Sequence, residues 1–250
     1  MRLALRLALA LAACPAACLA APAAAQSLEE RVAAYRERVE RLEDQVAIET
    51  LTTTFGYYFD KGLWDEAASL FASRGARYEY EQSGVYIGRE RIERAMLLLG
   101  PQGLAPGYLN NHFMLQDIIE VADDGRTATG RFQGPVQLSA PNANGQWAVG
   151  VYENAYVNEG GVWKIASFHF YLTAKTDYDK TWAEGAVAMR GPSALFPPDE
   201  PPSEVYRSYP AAYIPPFSFP HPVTGAPLTD LPMAGDDVLG RPSTMQERGE

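Results

Sequence analysis

Cysteine is almost missing from this sequence. The 250 residues contain only two cysteines, Cys14 and Cys18, and both lie within the first 25 residues. If that segment is removed from the mature protein, the remaining chain has no disulfide and no cysteine ligand for a metal ion. A hydrophobic core must then hold the folded chain together without covalent cross-links.

Basic residues are also scarce. The chain has 21 Lys and Arg residues against 31 Asp and Glu residues, a formal net charge of −10, and no basic stripe. This charge repels nucleic acid and anionic lipid, so we expect neither a nucleic-acid partner nor a membrane partner beyond a signal peptide. The 14 Tyr, 10 Phe and 4 Trp residues favour a hydrophobic or aromatic small-molecule partner, although most of them belong to the core in any reading.

Sequence motifs for cofactors are missing as well. The chain has no glycine-rich dinucleotide motif, no Walker sequence, no Gly-x-Ser-x-Gly and no His-Glu-x-x-His. We therefore expect no cofactor and no metal ion. A metal site of two histidines and one carboxylate, formed by His112, His169 and Asp60, stays open as an alternative.

The N-terminal segment has the pattern of a signal peptide. Arg2 and Arg6 precede an apolar run, and three alanines ending at Ala25 form a small-residue cleavage site before Gln26. We expect residues 1–25 to be removed and the mature protein to be periplasmic or secreted. Cys14 also stands in a sequence similar to a lipoprotein box, which leaves lipid attachment as an alternative.

Residues 26–40 are predicted to form an N-terminal helical extension. Ser27 and Glu30 make a capping box, and apolar residues then recur in alternating steps of four and three. This seam predicts a homo-oligomer, a dimer or a trimer, and the alternative is a single helix that packs on its own domain. The seam consists of Leu28, Val32, Tyr35, Val39, Leu42 and Val46.

Residues 41–182 are predicted to form one α+β domain. The first helix continues to about Gly56, and helical patterns follow over residues 63–72 and 89–99. After a strand at 77–81, the pattern changes to four alternating strands: 112–121, 127–138, 147–158 and 162–173. Helices followed by a strand meander indicate three helices packed on a curved antiparallel sheet.

The final segment, residues 183–250, is predicted to be a Pro- and aromatic-rich arm. Residues 192–227 contain eleven prolines, a density that excludes regular helices and strands. The aromatic residues between the prolines favour an ordered arm that wraps its own domain or a neighbouring subunit, and disorder is the alternative. These aromatic residues are Tyr206, Tyr209, Tyr213, Phe217 and Phe219.

Several short sequences resemble the SnoaL-like domains of the nuclear transport factor 2-like superfamily. They are Arg41-Leu42-Glu43-Asp44, the run from Tyr58 to Asp65, Gly88-Arg89, and Gly161-Val162-Trp163-Lys164-Ile165. The resemblance covers about residues 38–175 and implies a cone-like α+β barrel with one pocket. The superfamily includes scytalone dehydratase, ketosteroid isomerase, diarylpropane lyases and plain binding modules, so the fold alone does not decide the activity.

The resemblance to the scytalone dehydratase type implies three catalytic residues. Asp60, Tyr80 and His112 stand where that family has an aspartate, a tyrosine and a pocket histidine, whereas Phe59 replaces one of its tyrosines. A fourth candidate, His169, comes from strand alternation, because it has the same parity as Trp163 and Ile165 and should share their face. A histidine has a pKa suited to proton transfer near neutral pH.

Five further residues are candidates for substrate binding. Tyr78 shares a strand face with Tyr80, while Tyr152 and Asn154 share a face and offer hydrogen-bonding groups. Tyr58 and Trp64 belong to the run that carries the resemblance. Together these residues predict a cofactor-independent lyase that dehydrates, or splits by a retro-aldol reaction, an aromatic or polycyclic small molecule. The alternatives are a non-catalytic binding module and an isomerase of the ketosteroid type.

Overall fold

The structure is a computed structural model, and it describes residues 26–229. The expected signal peptide with Cys14, and the part of the arm from residue 230 onward, lie outside these residues. The chain divides into two units between Arg38 and Val39. The described part of the first unit is helical and starts with the capping box: the Glu30 N–H donates to Ser27 Oγ at 3.1 Å, and the Ser27 N–H donates to Glu30 Oε2 at 2.8 Å.

Residues 26–229 contain three helices. Helix α1 (Leu28–Asp60) is followed by α2 (Trp64–Ser69) and α3 (Arg89–Met96). Helix α1 ends at Asp60 because Gly62 adopts a φ of 63°, a left-handed conformation that glycine tolerates without steric cost. None of the helices within residues 26–229 is long and apolar enough to cross a membrane.

Seven strands of residues 26–229 form one sheet: β1 (Arg77–Tyr80), β2 (Tyr86–Ile87), β3 (Leu109–His112), β4 (Leu115–Val121), β5 (Thr127–Ser139), β6 (Gln146–Asn158) and β7 (Trp163–Asp177). Their order is β2-β1-β7-β6-β5-β3, and β4 also pairs with β5. The α+β fold, with helices on a curled sheet, is therefore confirmed. Two details differ from the expectation: β1 pairs with β7 in the parallel direction, and the strand expected over 112–121 is divided into two.

The sheet has an inner face, which packs on the helices, and an outer face on the opposite side. Phe55 and Phe59 of α1 contact Phe168 of β7, with ring centroids 4.9 Å and 6.5 Å apart. Tyr78 of β1 stacks on the same ring at 5.4 Å. These side chains are almost fully buried, so an aromatic core lines the inner face and supplies the stabilisation that cysteines do not provide.

A bulge in β7 changes which residues face the helices. Ser167 pairs with Ala155, but Ile165 pairs with Tyr156, so Ala166 is an extra residue in the ladder. Because one extra residue inverts the alternation of side chains, Ile165 lies on the inner face and residue 169 on the outer face. The bulge therefore decides the environment of His169.

A close backbone approach places the end of β3. A Cβ atom on Gly134 of β5 would lie 1.7 Å from the carbonyl oxygen of Phe113, so only glycine fits there. The missing side chain lets the backbone of Phe113 lie against β5, next to the pair that His112 forms with Val136.

The arm lies along the outer face. The Tyr206 hydroxyl accepts the N–H of Leu172 at 2.9 Å, and the Tyr206 ring stacks on Tyr213 with centroids 4.4 Å apart. Val151 and Tyr171 of the sheet complete this second cluster. The described arm is thus packed on its own domain.

Candidate active site

The site begins with a contact between the end of α1 and the end of β3. The Oδ1 atom of Asp60 lies 3.3 Å from Nδ1 of His112 and also accepts the backbone N–H of His112 at 2.8 Å. The His112 side chain is 1% exposed and that of Asp60 12% exposed. The two hydrogen bonds hold the carboxylate against the imidazole, which favours the tautomer that carries its proton on Nδ1.

The other ring nitrogen of His112 meets a tyrosine. Nε2 lies 3.0 Å from the hydroxyl oxygen of Tyr80 on β1. With the proton on Nδ1 directed to Asp60, Nε2 is an acceptor and the Tyr80 O–H donates to it. The three side chains form a continuous chain from Tyr80 through His112 to Asp60, and α1, β3 and β1 each supply one member.

Aromatic rings surround the imidazole of His112, the middle member of the three hydrogen-bonded residues. Phe59 and Phe170 approach the His112 ring edge-on, with centroid distances of 4.9 Å and 6.4 Å. Burial raises the pKa of Tyr80 well above its ordinary value of 10.0, so the phenol stays protonated and able to donate. The low local dielectric strengthens the hydrogen bonds that link Tyr80, His112 and Asp60.

Three cavities are each lined by at least one of the three hydrogen-bonded residues. We call them the polar cavity, the tyrosine cavity and the dyad cavity, with volumes of about 390, 390 and 180 Å³. Tyr80 lines both of the larger ones, whereas Asp60 and His112 line the dyad cavity. Of the three linked residues, Tyr80 is therefore the one that faces the larger spaces.

The inner face also holds polar atoms without partners. The hydroxyls of Tyr78 and Tyr152 and Oδ1 of Asn154 are buried and make no hydrogen bond. The amide nitrogen of Asn154 is occupied, because it donates to the hydroxyl of Tyr156 at 3.1 Å. Buried polar groups without partners are costly, and a ligand in the tyrosine cavity that hydrogen-bonds to Tyr78 would recover part of this free energy. Tyr152 and Asn154 line none of the three cavities, and their role in substrate binding stays a prediction.

His169 does not join the site, contrary to the expectation. It lies on the outer face, where its Nδ1 is 3.7 Å from Oε2 of Glu79 and its ring stacks on Tyr171 with centroids 3.7 Å apart. The expected parity with Ile165 fails because of the bulge at Ala166. The alternative metal site of His112, His169 and Asp60 is excluded by the same geometry, and residues 26–229 contain no cluster of three potential metal ligands.

Trp64 and Tyr58 are also placed differently from the expectation. The indole N–H of Trp64 lies 3.1 Å from the carbonyl oxygen of Gly100 and 3.2 Å from that of Pro101, and the ring packs on Phe59. Tyr58 is half-buried and packs against the core, and neither residue lines any of the three cavities. Both residues therefore lie outside the linings of these cavities, and their role in substrate binding stays a prediction.

The cavities are also lined by residues that the sequence patterns did not indicate, and three of these carry a charge and lie next to one another. Glu81 and Lys175 form a buried ion pair of 2.9 Å beside the polar cavity, and Arg190 of the arm lines both larger cavities. A second irregularity in β7, between Leu172 and Ala174, interrupts the alternation before Lys175. Arg190 follows the last strand, where periodicity gives no information about side-chain direction.

Comparison with solved structures gives neighbours of low sequence identity. A type 2 hexachlorocyclohexane dehydrochlorinase has a TM-score of 0.50 and 21% identity over 58% of this chain and 95% of its own. A protein from Novosphingobium aromaticivorans DSM 12444, provisionally named a scytalone dehydratase, has a TM-score of 0.49 and 19% identity over 63% of this chain and 97% of its own. None of the curated protein sequences compared with this chain is significantly similar to it.

A family model gives the clearer result. The model for the SnoaL-like domain matches residues 40–169, which is more than half of the chain and includes α1 from residue 40, the whole sheet up to His169, and Asp60, Tyr80 and His112. This match shows that the chain belongs to the SnoaL-like domain family.

Proposed function

We propose that this protein is a cofactor-independent lyase that removes water, or an aldehyde, from an aromatic or polycyclic small molecule. The observation that carries the proposal is the chain of contacts from Tyr80 Oη to His112 Nε2 and from His112 Nδ1 to Asp60 Oδ1. A base, a group that orients it and an acid that faces a cavity are the parts that an acid–base elimination needs.

The geometry suggests a proton path through Tyr80. A substrate in either larger cavity can contact Tyr80, which lines both, whereas His112 lines neither. The hydroxyl accepts the substrate proton as it passes its own proton to Nε2, and Asp60 stabilises the resulting imidazolium. In a dehydration, the same proton returns through Tyr80 to the departing hydroxyl, which leaves as water, so the enzyme ends unchanged.

A retro-aldol reaction needs the same groups. Tyr80 then accepts the proton of the substrate hydroxyl, the carbon–carbon bond breaks to give an aldehyde and an enolate, and the proton returns to the enolate. The unpartnered hydroxyl of Tyr78, which lines the tyrosine cavity, can bind an oxygen that gains negative charge in either reaction. The dehydrochlorinase with a similar fold is, by its name, an elimination enzyme as well.

One substrate can test both reactions. The aldol adduct of benzaldehyde and acetone loses water to give a conjugated enone, or splits to give benzaldehyde, and the two products differ in ultraviolet absorbance. We expect the purified protein to form one of them faster than buffer does. A protein that binds the adduct without forming either product would instead support the binding-module alternative.

Variants assign the chemistry to the three residues. His112→Ala should lower turnover by about 10²- to 10⁴-fold, because it removes the base. Asp60→Asn and Tyr80→Phe should cause comparable losses, and the losses should not add in double variants, since the residues act as one unit. His221→Ala and Tyr178→Phe are matched controls outside the site and should leave turnover unchanged. Near wild-type turnover of His112→Ala would show that the proposed mechanism is wrong.

A further inference from the structure

The cavities next to Tyr80 are bordered by a segment that lies outside the matched family domain. The segment from Met189 to Leu195 belongs to the arm, and Arg190 lines both the polar and the tyrosine cavities. Arg190 is also the only charged residue among those that line the tyrosine cavity. The arm therefore brings one cation to the space where we place the substrate.

A buried ion pair holds the backbone of Arg190 in this position. Its N–H donates to Oε2 of Glu81, whose other oxygen accepts from Nζ of Lys175 at 2.9 Å. Glu81 is 1% exposed, Lys175 is 7% exposed, and Glu81 has a φ of 57°, in the left-handed region. A non-glycine residue keeps such a conformation only where its surroundings fix it, so the start of the arm is firmly anchored at the cavities.

The guanidinium of Arg190, in contrast, is not neutralised. It makes one long hydrogen bond, 3.5 Å to the carbonyl oxygen of Leu98, and no ion pair with any carboxylate of residues 26–229. The charges of Glu81 and Lys175 cancel, and Asp177 is paired with Lys180 at 3.2 Å. Arg190 thus supplies the one charge among the residues that line the tyrosine cavity, in a chain whose net charge is −10.

The charge of Arg190 reaches the inner wall of the tyrosine cavity. Burial raises the pKa of the Tyr78 hydroxyl, and the positive charge of Arg190 opposes that rise. An arginine presents its donors in a planar fork, which matches the two oxygens of a carboxylate. A carboxylate at Arg190 would leave the ring system of the same ligand among Tyr78, Tyr80 and Tyr86.

We propose that Arg190 is a specificity-determining residue that binds a carboxylate of the substrate, so that the protein acts on aromatic carboxylic acids. The inference rests on the proposed function for its connection to catalysis, but the binding of the acid can be measured without turnover. The arm, which is no part of the matched domain, then selects the substrate of a site that the domain provides.

The test compares naphthoate with naphthamide, two ligands of the same shape that differ in charge. Isothermal titration calorimetry on the whole protein should show that naphthoate binds about fivefold tighter or more, and that added salt reduces the difference. Arg190→Gln should abolish the preference, whereas Arg190→Lys should keep part of it. Arg74→Gln, an exposed arginine beside a different groove, is the matched control and should keep all of it.

Each other outcome identifies which idea fails. An equal affinity of the wild type for both ligands, or an unchanged preference in Arg190→Gln, would overturn the role of Arg190. A preference lost in His112→Ala would also overturn it, because the carboxylate would then bind at the dyad. If His112→Ala and Tyr80→Phe retain turnover while Arg190→Gln still loses the preference, the lyase proposal fails and the carboxylate site stands. In every variant, an unchanged thermal unfolding midpoint confirms that the fold is intact.

Discussion

His169 and Glu79 lie side by side on the outer face of the sheet, with Nδ1 3.7 Å from Oε2. The strand register extends this pair into a row, because His169 also pairs with Glu153 of β6, which pairs with Arg131 of β5. The arm covers the row: Ser203 donates to Glu79, and the carbonyl oxygen of Pro216 accepts from Arg131 at 3.2 Å. The arm thus covers a row of titratable side chains, and no sequence motif indicated that the arm packs there.

The row predicts a pH-dependent stability. Burial raises the pKa of Glu153 from 4.5 to about 7, although Arg131 opposes the shift. A carboxyl group with a raised folded-state pKa stabilises the fold below its unfolded value, and this contribution is lost as the pH rises through about 7. Relative to Glu153→Gln, the free energy of unfolding of the wild type should therefore fall by roughly 1–2 kcal/mol between about pH 5.5 and about pH 8.5.

Urea unfolding at the two pH values measures this difference. His169 contributes in the opposite direction, since burial lowers its pKa from 6.5 to about 4, so the wild type gains stability as the pH rises over that interval. Comparison of Glu153→Gln with the wild type at each pH separates the two effects. Glu37→Gln changes an exposed glutamate of α1 and is the control. An equal effect of Glu153→Gln at both pH values would contradict the prediction.

The contact between Tyr206 and β7 predicts that the arm stabilises the domain. Tyr206→Phe leaves the N–H of Leu172 without its acceptor, so the free energy of unfolding should fall by about 1–2 kcal/mol. Tyr178→Phe removes the hydroxyl of a tyrosine that is 72% exposed and should cost less than about 0.5 kcal/mol. Equal stabilities of the two variants in thermal or urea unfolding would show that the arm contributes little.

The heptad seam predicts self-association. Each of its six apolar residues is at least 50% exposed in the single chain, which is unusual for such a regular row. If the seams of two or three chains pack together, Val32→Asp with Val39→Asp should convert the oligomer to a monomer in light scattering, because buried carboxylates would face each other. A wild-type protein that is already monomeric at micromolar concentration would show that the seam is not an interface.

The N-terminal pattern predicts export. Expression of the full chain in a bacterial host should give periplasmic protein whose first residue, by N-terminal sequencing, is Gln26 or a close neighbour. The variant Ala25→Leu, which replaces the small residue before the cleavage site, should slow processing. Recovery of a lipid-modified Cys14 would instead support the lipoprotein alternative.

Much of the fold could be predicted from the sequence, because the signals are local. The capping box at Ser27 and Glu30, the change of hydrophobic period after α3, and the turns between the long strands each depend on a few neighbouring residues. The resemblance in the run from Tyr58 to Asp65 then identified the domain and Asp60. The proline density after residue 191 marked the arm without indicating where it packs.

The candidate site depended on contacts between distant parts of the chain. The contact between Asp60 and His112 joins residues 52 positions apart, at the end of α1 and the end of β3, and no local pattern contains that information. His169 was assigned to the wrong face because one extra residue, Ala166, inverts the alternation of β7. The sequence alone determined the fold class, since periodicity depends on neighbouring residues. Only the tertiary structure decided which side chains share a cavity, because bulges and the docking of Arg190 are set by packing between segments far apart in the chain.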